Sequence, residues 1–446
     1  MATEGPSSDP RRRVAWAIRA NKLVLTVLVV AVAYPIAVHY TGFKPVHQLS
    51  KLDYPRLVGY KDRLIPPDRE MHGIDFSQIY FAAQNWSNDR PVYFPVDLAK
   101  WRREWSSTYH PLIHWLYIPI SKLSLRDALV AHNLLGISLL LLCSLLALRS
   151  AGTLSAFPSI AAVCLAVMFL TPTGLMHLER GQMDLFTAAS YVCILALFNG
   201  GGGGWAVAAG VFSTLKVHAW LCIGLYWCAA AALWGMRERV LWLLPATILV
   251  LTLVFLNQVL DWIPAFLYVA ENTSARGPSF TRILPVWLAY ALPIASTLAV
   301  TGFCFASLHR QRRLADMAFR RRLLSRISFP FAAALALQAM GATPVTHDYR
   351  LVALLGLLPA LAVWCGRSES VPWWLRNAVS FGYAFFLVIA MRVPPFFKMP
   401  YDDVAYTMLA LSLCFLAIAL YLASPRVADP MEIPGGGRTL PEPDAV

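Results

Sequence analysis

Apolar residues along this chain come in long unbroken blocks, not in alternation. Positions 23–40, 240–259 and 283–305 each form one. Such a block is long enough to cross a hydrocarbon core of about 30 Å as a helix. Only helices and closed barrels satisfy their backbone groups in lipid, and these blocks lack the every-second-residue pattern of a barrel strand. The pattern therefore predicts an all-α integral membrane protein. Its spans are expected at 23–40, 128–148, 157–172, 185–198, 205–215, 219–234, 240–259, 283–305, 329–340, 351–363, 378–390 and 404–422, about twelve in all. Several are short, so the helices are expected to extend into polar flanks, to tilt or to break. The stretch 205–234 reads either as one long helix or as a tight pair. The first block lacks a small-residue cleavage site and runs on through Gly42, Phe43 and Lys44, so it reads as an uncleaved helix and not a signal peptide.

Basic residues set the expected orientation. Arg11, Arg12, Arg13, Arg19 and Lys22 precede the first block, which places the N-terminus in the cytoplasm. The segment 309–326 carries Arg310, Arg312, Arg313, Arg320, Arg321, Arg322 and Arg326, and is expected on the same side. An even number of crossings must separate the two. Counting 205–234 as a pair gives eight, and counting it as one helix gives seven, so the pair is preferred. The chain then divides into a cytoplasmic segment 1–22, a membrane domain 23–423 with a first outer loop at 41–127, and a Pro- and Gly-rich cytoplasmic tail 424–446 expected to be disordered.

Composition agrees with the pattern. Hydrophobic residues make up 58% of the chain and charged residues 14%, well below the roughly one quarter usual in soluble domains. The net charge of +13 needs no nucleic acid to explain it, since the basic residues flank spans where anionic headgroups lie. All eight cysteines fall in or beside predicted spans with no CxxC, so neither a disulfide nor a zinc site is expected. Gly200 to Gly204 is read as a turn and not a phosphate loop, because no GK[ST] follows.

With that topology, the unusual polar residues collect on the outer face. The loop 41–127 is far longer than an ordinary connection, and loops of that length are usually functional. It contains amphipathic stretches at 75–86 and 97–105. Asp75 opens the first of these, where an aspartate ordinarily serves as a helix cap; the other reading is a catalytic carboxylate. Other expected outer segments hold His177, Glu179, Arg180, Gln182 and Asp184, then Lys216 and His218, then Arg276 and Arg282, then His347, Asp348, Tyr349 and Arg350. Each cation has an alternative reading as an interfacial anchor. Lys216 interrupts about thirty otherwise apolar residues, and an ionisable group at membrane depth is a functional candidate. One carboxylate facing several cations suits a lipid-linked phosphate. The cations would stabilise the phosphate as a leaving group while the carboxylate takes a proton from an attacking hydroxyl. Phosphate leaves without a proton, so the second carboxylic acid of a glycoside hydrolase is not required.

These residues together resemble the GT-C membrane glycosyltransferases, most closely the family 87 polyprenyl-phosphate-mannose-dependent mannosyltransferases. Asp75-Phe76 with Tyr80 and Ala82-Ala83 is similar to the family's first-loop motif, followed by Pro91-Val92-Tyr93. Tyr109-His110-Pro111 resembles its Tyr-Pro-Pro element, Gly181-Gln182 its Gly-Gln element, Lys216 its loop lysine and His347-Asp348-Tyr349 its late outer-loop motif. His110, Asp184 and Val217 depart from the family's usual proline, asparagine and proline. The absence of a second acid beside Asp75 separates the chain from other GT-C branches.

The resemblance implies a GT-C-type helical bundle whose active site lies on the periplasmic or extracellular side of the cell membrane. It implies inverting transfer of a sugar, mannose first, from a polyprenyl-phosphate donor to a lipid- or glycan-linked acceptor. Asp75 would be the general base. Lys216 and His347, with Arg180, Arg282 and Arg350, would hold the donor phosphate or sugar, and Tyr80 and Tyr109 the acceptor. No metal and no cofactor is implied. The rival readings are a secondary transporter, which would carry two related halves, and a scaffold for cell-envelope enzymes.

Overall fold

The computed structural model describes residues 75–93, 109–216, 218–235, 238–272, 277–343, 348–367, 371–392 and 399–425. The expected first span at 23–40, the N-terminal arginines, the amphipathic stretch at 97–105, Arg276, His347 and nearly all of the tail at 424–446 lie outside the described residues.

The described chain is helical, with no strand. Helices α1 (Phe76–Ser87) and α2 (Pro111–Tyr117) belong to the long loop. Then come α3 (Leu125–Ala151), α4 (Phe157–Leu170), α5 (Pro172–Arg180), α6 (Asp184–Phe198), α7 (Gly203–Leu215) and α8 (His218–Trp234). After them follow α9 (Arg239–Val254), α10 (Leu256–Asn272), α11 (Val286–Arg310) and α12 (Met317–Ala342). The last three are α13 (Leu358–Arg367), entered through a 3-10 run at Asp348–Leu357, α14 (Trp373–Ala390) and α15 (Tyr401–Leu422).

Five of these, α3, α11, α12, α14 and α15, are long and apolar enough to cross a membrane, and two bent pairs raise the number to seven. This is fewer than the hydropathy blocks suggest. The shorter apolar helices, α6, α7, α8 and the stretch 350–366, each hold only 10–17 residues. The stretch 205–234 is two helices, α7 and α8, separated at Lys216, whose backbone is extended.

Two expected spans are bent. The first breaks at Thr171, turning α5 by 75° from α4. Thr171 precedes Pro172, which disfavours helical backbone at Thr171. The threonine sits at φ −112°, ψ 149°, and its hydroxyl caps α5 by accepting the Gly174 amide at 3.1 Å. Residues 176–180, expected as loop, are therefore helix. The second break is at Phe255, where α10 turns by 96° from α9. The end of the expected 240–259 span thus belongs to α10. One face of α10 (Val259, Trp262, Ala265) is buried, while Leu260, Ile263 and Leu267 are exposed. The expected span 329–340 is also extended: α12 begins at Met317 and takes in half of the basic segment.

Two apolar clusters result. The larger runs through the bundle, and α6 and the part of α12 from Ile327 onward are almost wholly buried in it. The smaller joins α1, α2 and the start of α3 to Met183, Phe186, Leu215 and one face of α10. The ends of α12 define two polar ends of the bundle. At its N-terminal end, Arg321 pairs with Glu238, Arg320 donates to the Ala232 carbonyl at 2.6 Å, and the Trp364 indole donates to the Arg326 carbonyl at 2.6 Å. At its C-terminal end, Ser279 donates to the Thr343 carbonyl at 2.7 Å, beside the site described next.

Candidate active site

The bend at Thr171-Pro172 carries α5 to its C-terminus at Arg180, where the chain must turn sharply to start α6. Gly181 makes that turn at φ +66°, a conformation that glycine adopts without penalty. It also admits α1: a Cβ at Gly181 would lie 2.5 Å from Cβ of Phe76 and 2.5 Å from Cδ1 of Leu129. Arg180 and Gln182, on either side of this turn, are thereby brought against the start of α1.

Asp75 stands at the N-cap position of α1, yet its side chain makes no capping hydrogen bond. Its Oδ2 instead accepts from Arg180 Nη1 at 2.9 Å and from Gln182 Nε2 at 2.5 Å. The carboxylate is 19% exposed, so a ligand can still reach it. Gln182 is itself held from behind. Nε2 of His132 on α3 lies 3.1 Å from the Gln182 carbonyl, and Nδ1 lies 2.6 Å from the Tyr117 hydroxyl. One tautomer serves both contacts: Nε2–H donates to the carbonyl, and Nδ1 accepts from tyrosine.

Two residues beyond Gln182, a second ion pair begins. Asp184 opens α6, where the helix dipole favours a carboxylate. Its Oδ1 accepts from Lys216 Nζ at 2.5 Å, and both side chains are only 4% exposed. Lys216 reaches it from the break between α7 and α8. Burial pushes the Lys216 ammonium down from the ordinary lysine value to about 8, while Asp184 pulls it back up and Arg350 adds to the lowering. Asp184 and Lys216 line a small cleft with Thr187, Tyr191, Thr343 and Arg350. The other Asp184 oxygen, Oδ2, is buried with no hydrogen bond among the described residues, and so is Oγ1 of Thr187.

The remaining expected residues fall into place around these pairs. Tyr109 lies within electrostatic reach of Asp75, Arg350 and Asp184; burial first, then the Asp75 charge, raises its phenol above the ordinary value. Tyr80 is nearly buried, and its hydroxyl donates to the Leu123 carbonyl at 2.7 Å, which fixes α1 to the segment before α3. His110 caps α2: its Nδ1 accepts the Leu112 amide at 3.2 Å, and burial pushes its imidazole down to about 4. Arg282 pairs with Asp402 at 2.5 Å on the surface, both about a third or more exposed. His347 lies outside the described residues, as do the side chains of Asp348 and Tyr349.

The structure thus brings Asp75, Arg180, Lys216, Arg350 and Tyr109 to one region. Gln182, Asp184, Thr187 and His132 join the site only in the folded chain. Asp184 and Gln182 were legible as polar residues in a segment of interest. A lone histidine such as His132 in an apolar helix carries no local signal. No group of three or more metal-ligating side chains occurs among the described residues. The chain matches no protein-family model, no curated protein and no solved structure.

Proposed function

We propose that this protein is a membrane glycosyltransferase that moves a sugar, mannose first among candidates, from polyprenyl phosphate to the hydroxyl of a lipid- or glycan-linked acceptor. One observation carries the reading. Asp75 sits where an aspartate would cap a helix, but its carboxylate is withdrawn from capping and held by Arg180 and Gln182, one helix start away from the Asp184–Lys216 pair. A carboxylate that keeps some exposure among cations suits proton transfer beside a phosphate.

In the reaction, Asp75 takes the proton of the acceptor hydroxyl. The oxygen attacks the anomeric carbon, and the bond from that carbon to the phosphate oxygen breaks. Polyprenyl phosphate departs with the bonding electrons, and the configuration inverts. Lys216 and Arg350 stabilise the charge on the departing phosphate. Tyr109 borders the acceptor path. In this reading the shorter helices α6, α7, α8 and α13 complete a GT-C-type bundle of about twelve spans, with the site on the outer face of the cell membrane.

A secondary transporter is the alternative. Transporters carry their ionisable residues near the middle of related halves. Here the candidate residues gather toward the C-terminal end of α12, which favours the enzyme.

The test is incubation of purified protein in lipid with a panel of polyprenyl-phosphate sugars, for the parent and for Asp75→Asn. The parent is expected to release polyprenyl phosphate from one donor. Asp75→Asn is expected to bind that donor but turn over about a hundred- to ten-thousand-fold more slowly. A stable Asp75→Asn protein that keeps more than about a tenth of parent turnover overturns the general-base role.

A further inference from the structure

The Asp184 carboxylate is used on one side only. Oδ1 is locked on Lys216, while Oδ2 is buried and accepts nothing among the described residues. A buried carboxylate oxygen without a donor is costly to keep. Thr187 lies three residues along α6, on the same helix face, and its buried hydroxyl likewise has no partner among the described residues. Both residues are less than 5% exposed, and both line the cleft that Lys216 and Arg350 also border. Two unmet polar atoms on one wall of one cleft form a half-built hydrogen-bonding site.

The chemistry of those atoms selects the ligand. An ionised carboxylate only accepts, so Oδ2 needs a donor. A phosphodiester at neutral pH has no proton to donate and would be repelled by Asp184. A hydroxyl donates to Oδ2, and the threonine hydroxyl can donate or accept with a second one. Oδ1 stays with Lys216, so a sugar hydroxyl can reach Oδ2 without displacing that pair, and Arg350 borders the same cleft.

We propose that Asp184 and Thr187 form a subsite for the hydroxyls of the transferred sugar and so determine which sugar is accepted. The proposal rests on the glycosyltransferase reading above. Gln182, whose side chain holds Asp75, stands two residues before Asp184, at most about 7 Å along the backbone. The same turn of chain therefore sets both the sugar and the proton acceptor.

The test is a binding measurement that needs no turnover. Protein in lipid nanodiscs is titrated with polyprenyl phosphate and, separately, with polyprenyl-phosphate mannose, and tryptophan fluorescence is read. Parent, Thr187→Val and Asp184→Asn are compared, with thermal melting as a check on folding. Thr187→Val keeps the shape and the Asp184–Lys216 pair, so it remains informative if Asp184→Asn folds poorly. The expected result is that Thr187→Val loses about tenfold in affinity for the sugar-bearing lipid and keeps its affinity for the sugar-free lipid, while Asp184→Asn, which also alters the charge balance at Lys216, changes the two unequally, with the greater loss for the sugar-bearing lipid. Equal loss for both lipids would make the cleft a phosphate site and overturn the proposal. Unchanged affinity for both would mean that the two atoms meet only water, which overturns it too. A parent that binds neither lipid overturns the glycosyltransferase reading itself, and the subsite with it; in the other outcomes the parent still binds.

Discussion

Asp75 and Lys216 show how a charged residue's partner decides what it can do. An aspartate before a helix is by composition a cap, but capping needs its oxygen on the first amides of α1, and here Oδ2 points to Arg180 and Gln182. Lys216 is a lone cation in an apolar stretch, and its partner is Asp184. Its lowered value, set first by burial, makes a pH dependence. As pH rises through about 8, Lys216 loses its proton in the folded protein, while an unfolded chain keeps it up to the ordinary lysine value of about 10.4. Affinity for polyprenyl phosphate is expected to fall across that window. The contribution of this group to stability runs the other way: between the two values the unfolded state binds more protons, so stability rises with pH. Binding titrations and melting curves over the same pH series check both signs. Lys216→Arg, whose guanidinium does not titrate there, should flatten the binding limb. A binding curve that is flat in the parent would remove Lys216 from the phosphate contact.

At the scale of the element, the site depends on turns more than on helices. The Thr171-Pro172 break swings α5 across the bundle end, and Gly181 then reverses the chain in a left-handed conformation pressed against Phe76. Gly181→Ala would add both backbone strain and a clash with the residue that follows Asp75. It is expected to destabilise the protein by about 1–3 kcal/mol and to reduce turnover sharply, because relief of the clash moves Asp75 away from Gln182. Gly204→Ala is the matched control. It lies inside α7 with open space around it, and alanine there should be neutral or stabilising by up to about 1 kcal/mol. Melting temperature and turnover of the two variants, measured side by side, separate a site effect from a general intolerance of substitution. Equal behaviour of the two would show that the Gly181 turn does not position Asp75.

At the scale of the molecule, the two polar ends of α12 have different chemistry. Its N-terminal end gathers Arg313, Arg320, Arg321 and Arg326 with few acids, the pattern of a cytoplasmic face. The candidate site lies toward the other end. Placing the two ends on opposite sides of the membrane is directly testable. Of the described cysteines only Cys228 and Cys414 are exposed, so replacing these two leaves the buried six in place. On that background, Asn88→Cys at the end of α1 should react with an impermeant thiol reagent in intact cells. Arg310→Cys at the end of α11 should react only after permeabilisation. Labelling of both from the same side would overturn the outer-face site.

The sequence by itself determined the membrane character, since transfer free energy is a sum over single residues and needs no partner. It also marked the break at Lys216 between two short spans and singled out Asp75 and Lys216 as charges out of place, whereas at Thr171-Pro172 and Gly181 it predicts only the end of a span and a loop. Phe255, where α9 ends, carries no local mark; the 96° bend there goes with the packing of Phe255 on Trp86 of α1 and Trp115 of α2, and of Trp262 on His110. Pairing was decided only by the tertiary structure. Gln182 lies 107 residues from Asp75, and Asp184 lies 32 from Lys216, separations over which hydropathy and periodicity carry no information. His132 became legible only once its carbonyl partner was in place. The unmet oxygens of Asp184 and Thr187 likewise appear only in the folded chain, because whether a polar atom lacks a partner depends on everything packed around it.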